Sequence, residues 1–330
     1  MLVSWNSTNQ CNMYCSHCYR DSGLKAKREL ETDEAKKMIE EIKKAGFQIM
    51  IFSGGEPLMR KDIFELGSYA SSIGLRPVLG TNGSLITKDV ATSLKQSGFL
   101  AAGVSLDSLS ADKYNDFRKK SDAFDMVMEG FKNLKMAQIP FQIHTTIMKW
   151  NVHELDAMTD FAIKIGAKAH HIFFLVPTGR GSEIEDQIVP VHQYETILTT
   201  IIRRQIDCPI ELKPTCAPQF VRIAEQNNVP TRFTRGCLTG LRYCIISPIG
   251  DVQPCAYLDI PLGNVRETPF DVIWKDNAHL QRLRTEEYSG KCSQCGYQKK
   301  CGGCRARAYY VSNDYMAEDP YCDYIPNQKS

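Results

Sequence analysis

The sequence predicts an α/β fold, a partial (β/α)6 barrel of the TIM type followed by a C-terminal domain rich in cysteine. Two observations carry this. Short apolar runs of strand type alternate with amphipathic helical runs across the N-terminal two-thirds of the 330 residues, giving six β–α units in order. The last hundred residues then crowd together eight of the thirteen cysteines, with many turns and few helical patterns. A closed barrel needs eight units, so six leave one side open, and an open side admits a bulky substrate. The expected divisions are 1–206 for the barrel, 207–231 for a linker and 232–330 for the cysteine-rich domain.

The strand candidates are Leu2 to Trp5, Phe47 to Phe52, Leu75 to Thr81, Ala101 to Leu106, Phe141 to Met148 and Ala169 to Val176. After the first, Ala35, Met38, Ile39 and Ile42 fall at i, i+3, i+4 and i+7, which is one face of a helix. Thr32 is its expected N-cap, with Asp33 and Glu34 complementing the helix dipole. Ile63, Leu66, Ala70 and Ile73 repeat the pattern, as do Leu155, Met158, Ala162 and Ile165.

Composition narrows the class. A net charge of +2 with no long basic run gives a nucleic-acid partner no support. No apolar stretch approaches the ~18 residues of a membrane span. The first lysine or arginine is Arg20, so a secretory signal with a basic start is not expected. Thirteen cysteines then argue for metal binding in a reducing cytoplasm, not for disulfides.

Cys11, Cys15 and Cys18 stand at the spacing C-x3-C-x2-C. A four-iron cubane takes four thiolates, so three leave one iron open, and an open position on a metal is where chemistry happens. The alternative is a fourth ligand from elsewhere, giving a zinc knuckle or a closed cluster. Downstream, the strand candidate at 47–52 runs into Ser53-Gly54-Gly55-Glu56-Pro57. Paired glycines permit close approach to the backbone, Glu56 adds a carboxylate, and Pro57 fixes the turn.

Together these residues resemble the radical S-adenosylmethionine (SAM) superfamily. The resemblance covers about the first two hundred residues. It implies a four-iron cluster on Cys11, Cys15 and Cys18 whose open iron binds the amino and carboxylate groups of SAM. It also implies that Gly54, Gly55, Glu56 and Pro57 contact the methionine amine. His17 departs from the large aromatic usual before the third cysteine, which bears on packing around the adenine. In such folds the working residues gather at the C-terminal ends of strands. Those ends carry Thr81-Asn82-Gly83, Ser105-Leu106-Asp107, Thr145-Thr146 and Pro177 to Gly181. By position Ser105 and Asp107 resemble contacts to the SAM ribose, and Asp107 is equally a helix cap ahead of Leu109 and Ser110. Thr81 and Asn82 read either as part of the cofactor site or as a plain turn.

The C-terminal cysteines read Cys237-x12-Gly250-x4-Cys255, then Cys292-x2-Cys295-x5-Cys301-x2-Cys304, then Cys322, with Cys244 between. This resembles the SPASM extension of radical SAM maturases, which implies two auxiliary four-iron clusters. Cys237, Cys244, Cys255 and Cys304 would hold the nearer one, and Cys292, Cys295, Cys301 and Cys322 the distal one. The gap from Cys301 to Cys304 is two residues where the family more often has three. A pair of zinc ribbons is the alternative, because C-x2-C units also suit zinc. Cys208 reads as a small buried hydrophobe, and Cys216 as a turn residue between the domains that is a candidate for touching substrate or its metal. The seven histidines show no metal spacing, and His170-His171 reads as structural.

For substrate, Trp5 to Asn12, Cys18 to Asp21, Phe174 to Gly181 and Cys301 to Tyr309 resemble the radical SAM proteins of siroheme-dependent heme and dissimilatory heme biosynthesis. That implies an oxidoreductase or lyase-type enzyme acting on acetate or propionate side chains of an iron tetrapyrrole, with ferredoxin or flavodoxin as electron donor. A substrate with several carboxylates would want arginine forks, and Arg118, Arg180, Arg222 and Arg242 are candidates beside a plain surface-charge reading. The competing substrate is a precursor peptide crosslinked by a maturase. Such enzymes often carry an extra peptide-binding domain, for which this chain leaves no room before Leu2 or after Cys322. A third reading is an electron carrier with several clusters, which would have no use for Gly54 to Pro57.

Overall fold

A computed structural model describes residues 1–326. Six strands lie side by side in chain order, all parallel: β1 (Leu2–Asn6), β2 (Ile49–Ser53), β3 (Arg76–Thr81), β4 (Ala102–Ser105), β5 (Phe141–Ile147) and β6 (Ala169–Phe174). The crossovers between them are α1 (Thr32–Lys44), α2 (Ile63–Ser72), α3 (Lys88–Gln96), the pair α4 (Ala111–Arg118) and α5 (Ala123–Met136), and α6 (Leu155–Ile165). Side chains alternate along each strand. Met50 and Phe52 of β2, or Ile143 and Thr145 of β5, are therefore buried beneath the helices. Ile51, Ser53, Gln142 and His144 face the hollow side.

Helix α1 buries Ala35, Met38, Ile39 and Ile42, the face that the spacing predicts. Its cap is displaced by one residue. Glu31 is the N-cap, and its backbone N–H donates to the Glu34 carboxylate at 2.8 Å. Thr32 instead donates its hydroxyl to Asp62 at 2.7 Å, which ties α1 to the start of α2.

A seventh parallel strand corrects the six-unit count. After α7 (Val191–Arg204), β7 (Glu211–Thr215) pairs with β6, and α8 (Phe220–Gln226) follows. The stretch 207–231 thus carries a strand and a helix instead of an extended linker. Pro214 hides this strand from sequence reading, since proline breaks a central ladder. It is tolerated because β7 is the sheet edge.

The opposite edge is extended by the cysteine-rich domain. β8 (Tyr243–Ile246) pairs parallel with β1, and β9 (Asp251–Gln253) and β10 (Gly263–Asn264) add antiparallel, making one ten-stranded sheet. Four helices complete the domain: α9 (Phe270–Asp276), α10 (Ala278–Thr285), α11 (Gln298–Cys301) and α12 (Arg305–Ser312). That is more helix than the turn-rich sequence suggests, because short helices between cysteines show little periodicity. Helix α9 docks on α1. Phe47 packs edge-on against Phe270 and Trp274, with centroids 5.3 and 5.0 Å away. The Glu41 carboxylate accepts the Phe270 N–H at 2.7 Å, and Arg266 forks onto Glu34. Phe47 is buried on this seam. Phe47→Ala should lower unfolding free energy by about 3–5 kcal/mol, read from denaturant unfolding. A loss under about 1 kcal/mol would mean that the seam contributes little.

Candidate active site

The loop after β1 lies directly on the turn after β2. Ser7 N–H donates to Ser53, Gly55 N–H to Thr8 and Glu56 N–H to Gln10, each through the carbonyl at 2.8 Å. Gly54 has φ +144°, and a Cβ there would stand 2.5 Å from the Thr8 carbonyl oxygen. A Cβ on Gly55 would stand 2.7 Å from the Asn9 carbonyl oxygen. The paired glycines thus admit the chain's own loop. That loop carries Cys11, Cys15 and Cys18.

The three thiols are grouped closely enough for Cys15, Cys18 and Glu56 each to act on Cys11, whose pKa burial pushes up to about 12. Their loop is held from three sides. Tyr14 and Ser16 donate backbone N–H to Arg118 and Phe117 carbonyls at the end of α4. Arg118 donates to the Cys15 sulfur at 3.4 Å and pairs with Asp107, and Asp107 also accepts the Thr146 N–H at 2.8 Å. Arg180 donates to the Cys15 carbonyl at 3.1 Å, pairs with Asp21 at 2.5 Å and stacks 3.6 Å over Tyr14. Gly179 beside it touches the backbone of Cys18 and Tyr19.

Several expectations change here. Arg118 and Arg180 are neither surface charges nor free forks, since both are buried and committed to the cysteine loop. Asp107 is not a helix cap; Ser110 is the N-cap of α4, and Asp107 is consumed by Arg118. Arg222 is buried and paired with Glu195, whereas Arg242 is exposed. His17 replaces the missing aromatic by stacking on Phe117, with centroids 4.7 Å apart, and burial holds its pKa down near 4, so the ring is neutral.

Glu56 is fully buried. Its carboxylate accepts from the Thr81 hydroxyl at 2.8 Å, the Asn82 N–H at 2.9 Å and the Leu58 N–H at 3.2 Å. Asn82 continues to Asn12 at 2.9 Å, so the end of β3 and the cysteine loop share one network. Thr81 and Asn82 are thus bonded to Glu56 and to the cysteine loop. Ser105, half-buried at the end of β4, completes this rim, and its carbonyl accepts from the Tyr114 hydroxyl at 3.0 Å.

The C-terminal cysteines form two groups. Cys292, Cys295, Cys301 and Cys322 line one pocket with Arg222, Tyr288 and Tyr297. The other brings together Cys237, Cys255 and Cys304. Cys216 stands with these three, whereas Cys244 is fully buried in the apolar core beside Val3. Cys208 packs partly buried on the core beneath α7 and α8. The rings of Tyr19 and Tyr257, 5.3 Å apart, lie between the N-terminal cysteines and Cys255.

Sequence reading missed two features. Arg307 and Asp319 form a wholly buried ion pair at 2.9 Å, and Asp319 also accepts the Cys304 N–H at 2.7 Å. The hollow side carries His144 and His171, stacked at 5.3 Å, and Lys213, whose ammonium lies 4.5 Å over Phe233. Among the described residues no carboxylate is within ion-pair distance of Lys213. Strand alternation is the signal for all three, and for Lys213 it was hidden because β7 was not recognised. His170, by contrast, is structural, bonded to Thr159 and Thr145 on the helix side.

The donor sets suit clusters. All thirteen cysteines are unbridged, and backbone N–H groups point at Cys18 and Cys301 sulfurs at 3.4 and 3.5 Å. Residues 5–162 match the radical SAM superfamily, and residues 237–296 match the SPASM iron–sulfur cluster-binding domain. The chain belongs to the radical SAM superfamily. As a member with a SPASM domain it is an enzyme that uses SAM and carries multiple [4Fe–4S] clusters. It is 42% identical to an AdoMet-dependent heme synthase of Nitratidesulfovibrio vulgaris strain Hildenborough, over 99% of this chain and 93% of that protein. It is 43% identical to another of that name from Methanosarcina barkeri strain Fusaro, over 99% and 97%. The crystal structure of Streptococcus suis SuiB bound to S-adenosylmethionine shares the fold, at 17% identity and TM-score 0.77 over 98% of this chain and 77% of that one. No helix among the described residues is long and apolar enough to cross a membrane.

Two outcomes follow from this geometry. Gly55→Ala should lift the cysteine loop off the turn and lower reconstituted iron by up to about four atoms per chain, by colorimetric assay; unchanged iron content would show that the contact is dispensable. Burial raises the Glu56 pKa from 4.5 to about 7. The folded chain therefore keeps a proton that the unfolded chain has lost across that window, and Glu56 costs stability increasingly as pH rises through it. Glu56→Gln should flatten the accompanying fall in melting temperature between about pH 5 and pH 7.5, relative to wild type.

Proposed function

We propose that this chain acts on the carboxylate side chains of an iron tetrapyrrole. Full-length likeness above 40% to proteins named heme synthases carries this reading. Cys11, Cys15 and Cys18 would hold the SAM-binding cluster, with Gly54 to Pro57, Thr81, Asn82 and Ser105 around the cofactor. When bound, these groups supply a 5′-deoxyadenosyl radical, and the auxiliary clusters supply an electron acceptor. The protein's own share is binding, orientation and exclusion of water.

The hollow side supports a substrate with carboxylates. Lys213 is largely enclosed, its pKa is lowered by burial, and among the described residues it has no carboxylate partner. An incoming propionate would supply one. Burial keeps His144 and His171 neutral, so they add no competing charge. Arg118 and Arg180, spent on the cysteine loop, hold Cys15 in place while the substrate binds elsewhere. Conversion of a propionate to a vinyl group removes one hydrogen atom, one electron and carbon dioxide. Electrons for SAM cleavage would come from a ferredoxin or flavodoxin in the cytoplasm, where thirteen thiols stay reduced.

The test incubates anaerobically reconstituted protein with SAM, dithionite and an iron porphyrin bearing propionates, and follows product mass. Decarboxylated product is expected. Lys213→Met should raise KM for the porphyrin about tenfold or more, with SAM cleavage retained and Lys213→Arg largely restoring KM. If no tetrapyrrole is consumed while a cysteine-containing precursor peptide gains a crosslink, the peptide reading stands instead.

A further inference from the structure

We infer that Cys216, at the end of barrel strand β7, is the fourth thiolate of the nearer auxiliary cluster, with Cys237, Cys255 and Cys304, and that Cys244 is a core residue. The inference rests on the iron–sulfur domain of the family and makes no use of the tetrapyrrole reading.

The sheet excludes Cys244. Strand β8 is locked to β1 in the register Leu2 with Tyr243, Val3 with Cys244 and Trp5 with Ile246. Alternation sends Tyr243 to one face and Cys244 to the other. Tyr243 takes the hollow side, where its hydroxyl donates to Ser4 at 3.2 Å and its ring lies near Tyr19 and Cys255. Cys244 therefore points away from Cys255, into the core shared with Val3 and Ile246, and is fully buried there. Bringing its sulfur round would need a one-residue slip of β8, which would turn every side chain of that strand to the wrong face.

The same geometry delivers Cys216. It follows β7 directly and has φ +57°, a left-handed conformation that strains a non-glycine residue. Two side chains hold it there. Its carbonyl accepts from Arg307 and from the Tyr194 hydroxyl. Arg307 is paired with Asp319, and Asp319 accepts the Cys304 N–H, so one buried chain of bonds fixes Cys216 relative to Cys304. On the other side, a Cβ on Gly236 would stand 2.6 Å from the Pro218 side chain, so the turn bearing Cys237 rests on the segment bearing Cys216. Cys304, Cys255 and Cys237 all lie close enough to act electrostatically on the Cys216 thiol, whereas the charged neighbour of Cys244 is Arg284. Four thiols around one space complete the set that a closed four-iron cluster takes.

A barrel strand would then supply a ligand to the C-terminal domain's cluster, fastening the two parts covalently through metal. The test reconstitutes the full chain anaerobically as Cys216→Ala and as Cys244→Val, each verified as folded by its circular dichroism melt. Iron and sulfide are counted, and the auxiliary signals are read by EPR after reduction. The expected result for Cys216→Ala is a shifted or missing near-cluster signal, with iron falling from about twelve towards about eight atoms per chain. Cys244→Val should match wild type in both. An unchanged near-cluster signal in Cys216→Ala, or a changed one in folded Cys244→Val, would overturn the assignment.

Discussion

Backbone resting on backbone, between the loop of Thr8 to Gln10 and the turn of Gly54 and Gly55, is the contact on which the rest of the site depends. It continues the β1–β2 ladder past Asn6 and Ser53 by further main-chain bonds. Neither glycine can carry a Cβ without moving a carbonyl of that loop. With the loop so placed, Glu56 reaches the end of β3, and Asn82 reaches back to Asn12. Arg60, stacked 4.9 Å from Trp5, adds a bond to the Ser7 carbonyl at 2.9 Å. The cysteine loop is thereby referenced to three strands at once.

Buried charge does the remaining positioning. Arg118 with Asp107, Arg180 with Asp21 and Arg307 with Asp319 each tie a guanidinium to a loop carbonyl or sulfur as well as to a carboxylate. Removing such charges from water is costly, and replacing them by apolar groups often stabilises. Their retention fits a structural duty that apolar packing cannot perform, which is to aim cysteine loops lacking regular secondary structure. That duty also disqualifies them as substrate forks. Lys213, by contrast, lies over the Phe233 ring and pairs with no carboxylate among the described residues.

The sheet makes one body of the barrel and the cysteine-rich domain. β8 adds to the free edge of β1, α9 covers α1, and the end of β7 meets Cys237 and Cys304 from the other edge. The aromatic pair Tyr19 and Tyr257 bridges the space between the N-terminal thiols and Cys255. Radical chemistry and electron transfer need such fixed separation, and a flexible tether would not supply it.

Sequence alone determined what is local. The short apolar runs and the helical runs between them placed six strands to within a few residues, because those strands have one face under helices and a one-residue shift would expose the core. The spacing of Cys11, Cys15 and Cys18, and the turn that follows β2, disclosed cluster chemistry because ligands on one short loop need no tertiary context. Only the tertiary structure decided the rest. Pro214 concealed β7 until the edge position explained it, and with β7 went Lys213 and the placement of Cys216. Cys216 and Cys244 look alike as letters, and only the face of the strand or the hand of the turn separates them. Arg118 and Arg180 read as substrate forks or surface charge because pairing across more than a hundred residues leaves no mark on neighbouring positions.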